Sequence, residues 1–193
     1  MNKKGFTLLE LLIVIAILAI LATVTFVVLN PAQLLAQARD SQRISELVSL
    51  KSAINLYLAT AASTTLQFTG GTCAANCWVQ TTGVTANCGG RHATTTKITV
   101  IDADRTVDGT GWVPVKLTDT SGGSPLAFLP IDPSNSPTYF YSYACDNTNL
   151  TFELGVNMES TAYGQGGTKD VESADGGNLP SIYEVGTDPG LDL

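Results

Sequence analysis

From Phe6 to Leu29 the chain runs almost without interruption through apolar residues, and the single charged side chain in that stretch is Glu10. A helix of roughly 20 apolar residues crosses the hydrocarbon core of a bilayer. The segment therefore divides the chain into a part that belongs in lipid or against other apolar helices and a part that must fold in water. The flanks argue against an ordinary secretory signal, in which a basic start precedes an apolar stretch of about 7–15 residues and a small-residue cleavage site follows it. Here Lys3, Lys4 and the small residue Gly5 all come first. A cut after Gly5 would remove the two lysines and leave the apolar helix on the protein.

Glu10 needs a reason to be where it is, because a charge near the centre of a lipid-embedded helix costs about 3 kcal/mol on insertion scales. Two local reasons exist. Thr7 and Glu10 form a T-x-x-E capping-box pattern, and an acid close to a helix N-terminus meets the positive end of the helix dipole. A third reason comes from outside the chain. The segment Lys3-Lys4-Gly5-Phe6-Thr7-Leu8-Leu9-Glu10 resembles the class III leader of type IV pilins and type II secretion pseudopilins. The resemblance implies that a membrane prepilin peptidase cuts after Gly5, that Phe6 becomes an N-methylated amino terminus, and that Glu10 pairs with the terminal ammonium of a neighbouring subunit. It also implies an inner-membrane assembly platform with a cytoplasmic ATPase as partner. The protein would be a single-pass protein of the cytoplasmic membrane before assembly and part of an extracytoplasmic or cell-surface filament after it.

The expected division is a leader over 1–5, a transmembrane and polymerisation helix over 6–29, an amphipathic continuation over 30–61, and a globular domain over 62–193. In the continuation, Ile44, Leu47, Leu50, Ile54, Tyr57 and Leu58 recur at threes and fours, the stripe of an amphipathic helix. Arg39, Asp40, Gln42, Arg43, Ser45, Glu46 and Lys51 are expected on its polar face. Pro31 lacks a backbone donor and should kink the rod near Val27 to Asn30. From Phe6 to about Thr60 such a rod would be roughly 80 Å long.

Beyond Ala61 the sequence turns to Thr, Gly, Ser, Asn and Ala, and both Ala61–Thr72 and Cys73–Ala93 read as irregular. Strand signals follow at Lys97–Ile101, at Trp112–Leu117 with Pro114 favouring an edge, at Thr138–Ala144 with Tyr139, Tyr141 and Tyr143 on one face, and at Leu150–Val156. In the last of these, Phe152, Leu154 and Val156 share a face opposite Thr151, Glu153 and Gly155. The last two runs read as a hairpin turning over Cys145–Asn149. The expected fold class is α+β, with a long N-terminal helix packed against a small antiparallel sheet. Leu129-Pro130-Ile131-Asp132-Pro133 followed by Tyr139-Phe140-Tyr141 resembles the Asp-Pro loop and Tyr-x-Tyr strand of major pseudopilins and related pilins, which is a second, looser likeness to the same family.

Cys73, Cys77, Cys88 and Cys145 all follow the apolar segment. An even count beyond a membrane helix favours two disulfides in an oxidising compartment, with three connectivities open. Cys73, Cys77, Cys88 and His92 are alternatively spaced for a Cys3His zinc site, at the cost of leaving Cys145 unpaired. Asp102, Asp104 and Asp108 fail as an EF-hand because Val107 and Val113 occupy the glycine and glutamate positions. Asp170, Glu172, Asp175, Asp188 and Asp192 could hold calcium, as the resemblance to major pseudopilins implies, or could form a hydrated acidic tail; no cofactor is required. The 193-residue chain has a formal net charge of −7 and a pI near 4.5, so its overall balance lacks a nucleic-acid footprint. Arg91, Lys97, Arg105, Lys116 and Lys169 are too scattered to suggest a basic stripe. No nucleophile elbow, Walker loop or His-Glu-x-x-His motif is present, which argues against an enzyme. Asn149-Leu150-Thr151 fits a glycosylation sequon but reads as strand. The sequence thus points to a pilus-type structural subunit, with a secretion pseudopilin, a DNA-uptake pilin and a membrane-anchored binding domain as the alternatives.

Overall fold

The computed structural model describes residues 5–62, 64–92 and 96–193. The leader residues Lys3 and Lys4 lie outside them. Helix α1 spans Leu8–Leu29 and helix α2 spans Pro31–Thr60. The break between them is a single residue, Asn30, in a left-handed conformation at φ 37°. Its position follows from local chemistry: asparagine tolerates this conformation better than most residues, its side chain caps α2 by accepting from the Gln33 amide, and Pro31 occupies the first turn, where a missing donor costs nothing.

Five strands form one sheet: β1 Asn76–Val79, β2 Ile98–Ile101, β3 Ser142–Asp146, β4 Thr151–Val156 and β5 Tyr183–Gly186, in the order β2-β1-β3-β4-β5. The β3–β4 hairpin and β5 are antiparallel, but β1 and β2 pair in parallel, so the sheet is mixed rather than purely antiparallel. Two strands were hidden in the sequence. β1 lies within Cys73–Ala93, where glycine and asparagine mask the three-residue apolar run Cys77-Trp78-Val79, and β5 is equally short as a strand. Trp112–Leu117 is the converse case. Its alternating pattern makes no strand beyond an isolated Asp108–Lys116 bridge before a 3-10 turn at Leu117–Asp119. Trp112, Val113, Val115 and Leu117 are all fully buried there, so burial on both sides replaces strand pairing.

Helix α2 lies across the sheet face made by Trp78, Tyr141, Tyr143, Cys145, Phe152, Leu154 and Val156, and contributes Leu47, Leu50, Ala53, Ile54 and Tyr57 to the shared core. Tyr143 sits between Trp78 and Phe152, with ring centroids at 5.8 and 6.4 Å, and its hydroxyl donates to Leu66 O at 2.8 Å. Tyr139 precedes β3 and is only half-buried, so the expected tyrosine stripe is two residues long. The hairpin turn is displaced by one or two residues from its expected place. Cys145 and Asp146 belong to β3, and Leu150 adopts a left-handed conformation in the turn. Asn149 of the sequon also lies in that turn and donates to Asp146 Oδ2, not in the strand.

The opposite sheet face is buried as well. Cys77, Val79, Ala144 and Phe140 form a second small core with Cys88, while Ser142, Glu153 and Glu184 place polar groups beside it. Disulfides Cys73–Cys145 and Cys77–Cys88 staple this end of the domain, closing sequence separations of 72 and 11 residues. Chain-entropy arguments give about 4 kcal/mol for the longer closure and about 3 kcal/mol for the shorter. Replacing Cys73 and Cys145 together by alanine should therefore destabilise the domain more than replacing Cys77 and Cys88. Urea titration of both double variants tests this order, and the reverse order would show that the closed loops are not independent in the unfolded chain.

Candidate assembly interface

Every described side chain from Gly5 to Leu29 is exposed, with Phe6 at 81% and Leu8 at 82%. The apolar residues of α1 face all directions, the signature of a helix that belongs in lipid or between other helices. At 22 residues it is about 33 Å long, enough to span the hydrocarbon core. The hydroxyls within it are satisfied internally: Thr23 Oγ1 donates to Ile20 O and Thr25 Oγ1 to Leu21 O, both at 2.8 Å. No polar side chain of its C-terminal half therefore requires water.

At its start, Thr7 and Glu10 close the capping box. Thr7 N and Thr7 Oγ1 both donate to Glu10 Oε2 at 2.9 Å, and Glu10 N donates to Thr7 Oγ1 at 3.2 Å. Glu10 thus has a local role before any partner arrives. Both donors fall on one carboxylate oxygen.

What holds α1 at a defined place relative to the domain is the opening of α2. Arg43 is fully buried, as are its partners Asp40 and Asp132. Arg43 Nε donates to Asp132 Oδ2 at 2.7 Å and Nη2 donates to Oδ1 at 3.0 Å, while Nη1 donates to Asp40 Oδ1 at 2.8 Å. The remaining carboxylate lone pairs are taken by backbone: Asp132 Oδ1 accepts from Ser134 N, and the two oxygens of Asp40 accept from Glu159 N and Ser160 N, all at 2.8 Å. Asp40 and Arg43 therefore lie on the buried face of α2, not on its polar face. A period of 3.6 cannot separate a buried ion pair from a solvated one. Burial opposes the charge on Arg43, but Asp132 and Asp40 outweigh it and hold the guanidinium above its ordinary pKa. Nearer the membrane, Arg39 pairs with Glu159, and Gln33 Oε1 accepts from Thr161 N and Oγ1. The first half of α2 is thereby fixed to the segment 159–161 and to the Asp132-Pro133 loop.

The other sequence-expected residues are placed as follows. All four cysteines are consumed by the two disulfides, and His92 is buried in the polar layer, not exposed in a loop, with Nδ1 3.1 Å from Glu153 Oε1 without hydrogen-bonding alignment and Nε2 3.1 Å from Ser142 Oγ. A Cys3His zinc site is not assembled. The tail acids do not converge either. Asp170 accepts from Gly166 N and Ser173, Glu172 from Met158 N and Gln165 N, Asp175 from Gly177 N and Glu184 N, and Asp188 from Thr151 Oγ1. These bonds tie the acids to separate loops and strands, and among the described residues no group of three His, Cys, Asp or Glu side chains is placed to hold a metal. The arrangement does not fit a calcium ion. Arg91 and Lys97 are buried, which removes two of the five cations considered for a basic surface.

Residues 1–26 match the family described as the prokaryotic N-terminal methylation motif. The chain carries a class III prepilin signal region. No curated protein matches the chain, and no solved structure matches it. The methylation-motif match covers the leader and most of α1 and stops before Asn30. A membrane-length helix carries this motif and an α+β domain follows it, an arrangement consistent with a pilin-type subunit.

The Arg39–Glu159 pair gives this junction a pH signature. The Arg39 hydrogen bond, with Arg43 assisting, lowers the Glu159 carboxyl from 4.5 to about 2. A depressed acid contributes its stability above its unfolded pKa and loses it as pH falls through the folded one. Glu159→Gln should therefore flatten the fall in thermal midpoint between pH 4.5 and about 2, measured by circular dichroism. An unchanged slope would place the acid sensitivity elsewhere.

Proposed function

We propose that the protein is a structural subunit of a type IV pilus-like filament, released from its leader after Gly5 and polymerised through α1. The observation that supports this most is the conjunction of the methylation motif with a helix whose described side chains are exposed along its whole length, interrupted only by Glu10. In lipid, that surface gains little from contact with its own kind, since lipid tails are as apolar as leucine. Drawn out of the bilayer, the same side chains would each gain about 1.5–3 kcal/mol from burial against other copies. Extraction thus converts an indifferent surface into the driving force for a helical bundle.

Glu10 supplies register. Thr7 engages only its Oε2, so pairing with the terminal ammonium of a neighbouring copy does not require the capping box to open. A subunit out of register would leave a carboxylate buried in an apolar bundle without a partner, which is far costlier than any misplaced leucine. The break at Asn30 allows α1 to tilt as copies pack while the Arg43 network keeps α2 fixed on its domain. The globular domain then forms the outer surface, with the prepilin peptidase and an inner-membrane platform with its ATPase as partners and the cytoplasmic membrane as the store of unassembled subunits.

Intact mass and electron microscopy of material sheared from cells test the reading. Filaments whose subunit begins at a methylated Phe6 are expected. Glu10→Ala should abolish or strongly reduce filaments while leaving the thermal midpoint of the domain unchanged. Uncleaved protein confined to membranes, with Glu10→Ala behaving as wild type, would overturn the filament reading in favour of an anchored binding domain. Short periplasmic assemblies would instead identify a secretion pseudopilin, and loss of transformation without loss of piliation a DNA-uptake subunit.

A further inference from the structure

Arg91, like Lys97, is a buried cation with no ion pair among the described residues. Its residue is 3% exposed, yet among the described residues no carboxylate lies within ion-pair distance of it. Its bonds go to neutral oxygens: Nη1 donates to Phe140 O, Nη2 to Thr138 O at 3.0 Å and also to Asn157 Oδ1, and Nε to Asn157 Oδ1 at 3.1 Å. The guanidinium stacks on the Phe140 ring at 3.3 Å. These contacts use four of the five N–H groups of an arginine and leave its full charge unbalanced. Burial accordingly pushes the guanidinium down to about 9, with Asp132 only partly opposing it.

This charge borders a cleft of about 430 Å³ between the Cys77–Cys88 loop and the 179–182 segment. Among the described residues that line it, Arg91 is the only ionisable one. Val84, Pro137, Phe140 and Ile182 give apolar walls, and the hydroxyl-bearing Thr85 and Ser181 also border it. On a chain of net charge −7, a cleft whose described lining holds one buried cation and no acid is a local positive spot. We propose that this cleft is a binding site for a small organic carboxylate, whose oxygen takes the remaining N–H of Arg91 and whose apolar body lies against Phe140 and Ile182. The cleft is larger than a bare inorganic anion requires, and Val84, Pro137 and Ile182 place carbon among its polar groups, which favours a carboxylate carrying an organic body over sulfate or phosphate. A charge-assisted bond in a dry site is about twice as strong as a neutral one, so the carboxylate should dominate recognition.

The test uses the full chain in detergent micelles, titrated calorimetrically with benzoate at constant ionic strength, with benzamide as the neutral isostere and sulfate as the bare oxyanion. Saturable benzoate binding in the millimolar range or tighter is expected, with benzamide and sulfate weaker by at least about tenfold. Arg91→Gln should abolish binding. Because that variant could fail to fold, Gly90→Asp provides the second arm. Gly90 sits at φ +84° with open space where its Cβ would be, a conformation asparagine and aspartate tolerate, and the new carboxylate beside Arg91 should weaken benzoate about tenfold. Equal binding of benzoate and benzamide, tighter binding of sulfate, unchanged affinity in a folded Arg91 or Gly90 variant, or no binding at all would each overturn the proposal. None of these results bears on filament formation, so the two readings fail independently.

Discussion

Arg43 is the point on which the geometry of the molecule turns. A fully buried guanidinium survives only if every lone pair and proton around it is engaged, and here Asp40 and Asp132 engage it from two elements while backbone amides engage them in turn. Such a pair adds little net stability over apolar residues of the same size, but removing one member leaves a stranded charge that costs about 3–5 kcal/mol. Its value is positional. It fixes the rotation of α2 against the Asp132-Pro133 loop and the 159–160 segment more narrowly than leucine packing could, because a guanidinium fork accepts one geometry.

That rotation matters because the chain is built for two solvents. Before Asn30 the described side chains are apolar and exposed along a membrane-length helix; after it, one face of α2 is core and the other is water. Leu34 and Leu35 remain exposed just beyond the break, extending the apolar surface of α1 slightly into the water-facing half. The domain thus holds α2 at a fixed rotation, and the freedom of α1 is concentrated at one left-handed asparagine.

The membrane half of this design is written plainly in the residues. A bilayer imposes composition, and a leader imposes fixed offsets, so Gly5, Phe6 and Glu10 stand out without any structure. The amphipathic stripe from Ile44 to Leu58 and the β3–β4 hairpin are legible for the same reason, since their periods are sustained. What escapes is non-local. Asp40 and Arg43 look like solvent-facing charges because their partner Asp132 lies 89 residues from Arg43. β1 and β5 are four residues long, too short for alternation to show, and the parallel pairing of β1 with β2 has no local signal at all. Trp112–Leu117 alternates like a strand but is captured by α2 and the core before it can pair. The cleft at Arg91 is likewise assembled from segments more than 90 residues apart, and Arg91 reads in the sequence as one cation among several.

The second sheet face explains why the cysteines sit where they do. A small domain that buries both faces of a five-stranded sheet needs two apolar layers, and this chain has residues enough for one. The layer opposite α2 holds only five core residues, two of them the bonded pair Cys77 and Cys88, with His92, Ser142, Glu153 and Glu184 beside them. Burial, with Glu153 nearby, raises the Glu184 carboxyl from 4.5 to about 8, so its contribution to stability is full below pH 4.5 and is lost as pH rises through about 8. A layer that weakens at neutral pH cannot hold itself together by hydrophobic contact alone. The covalent bonds replace the missing apolar area, and bonds of this kind form and persist in an oxidising compartment.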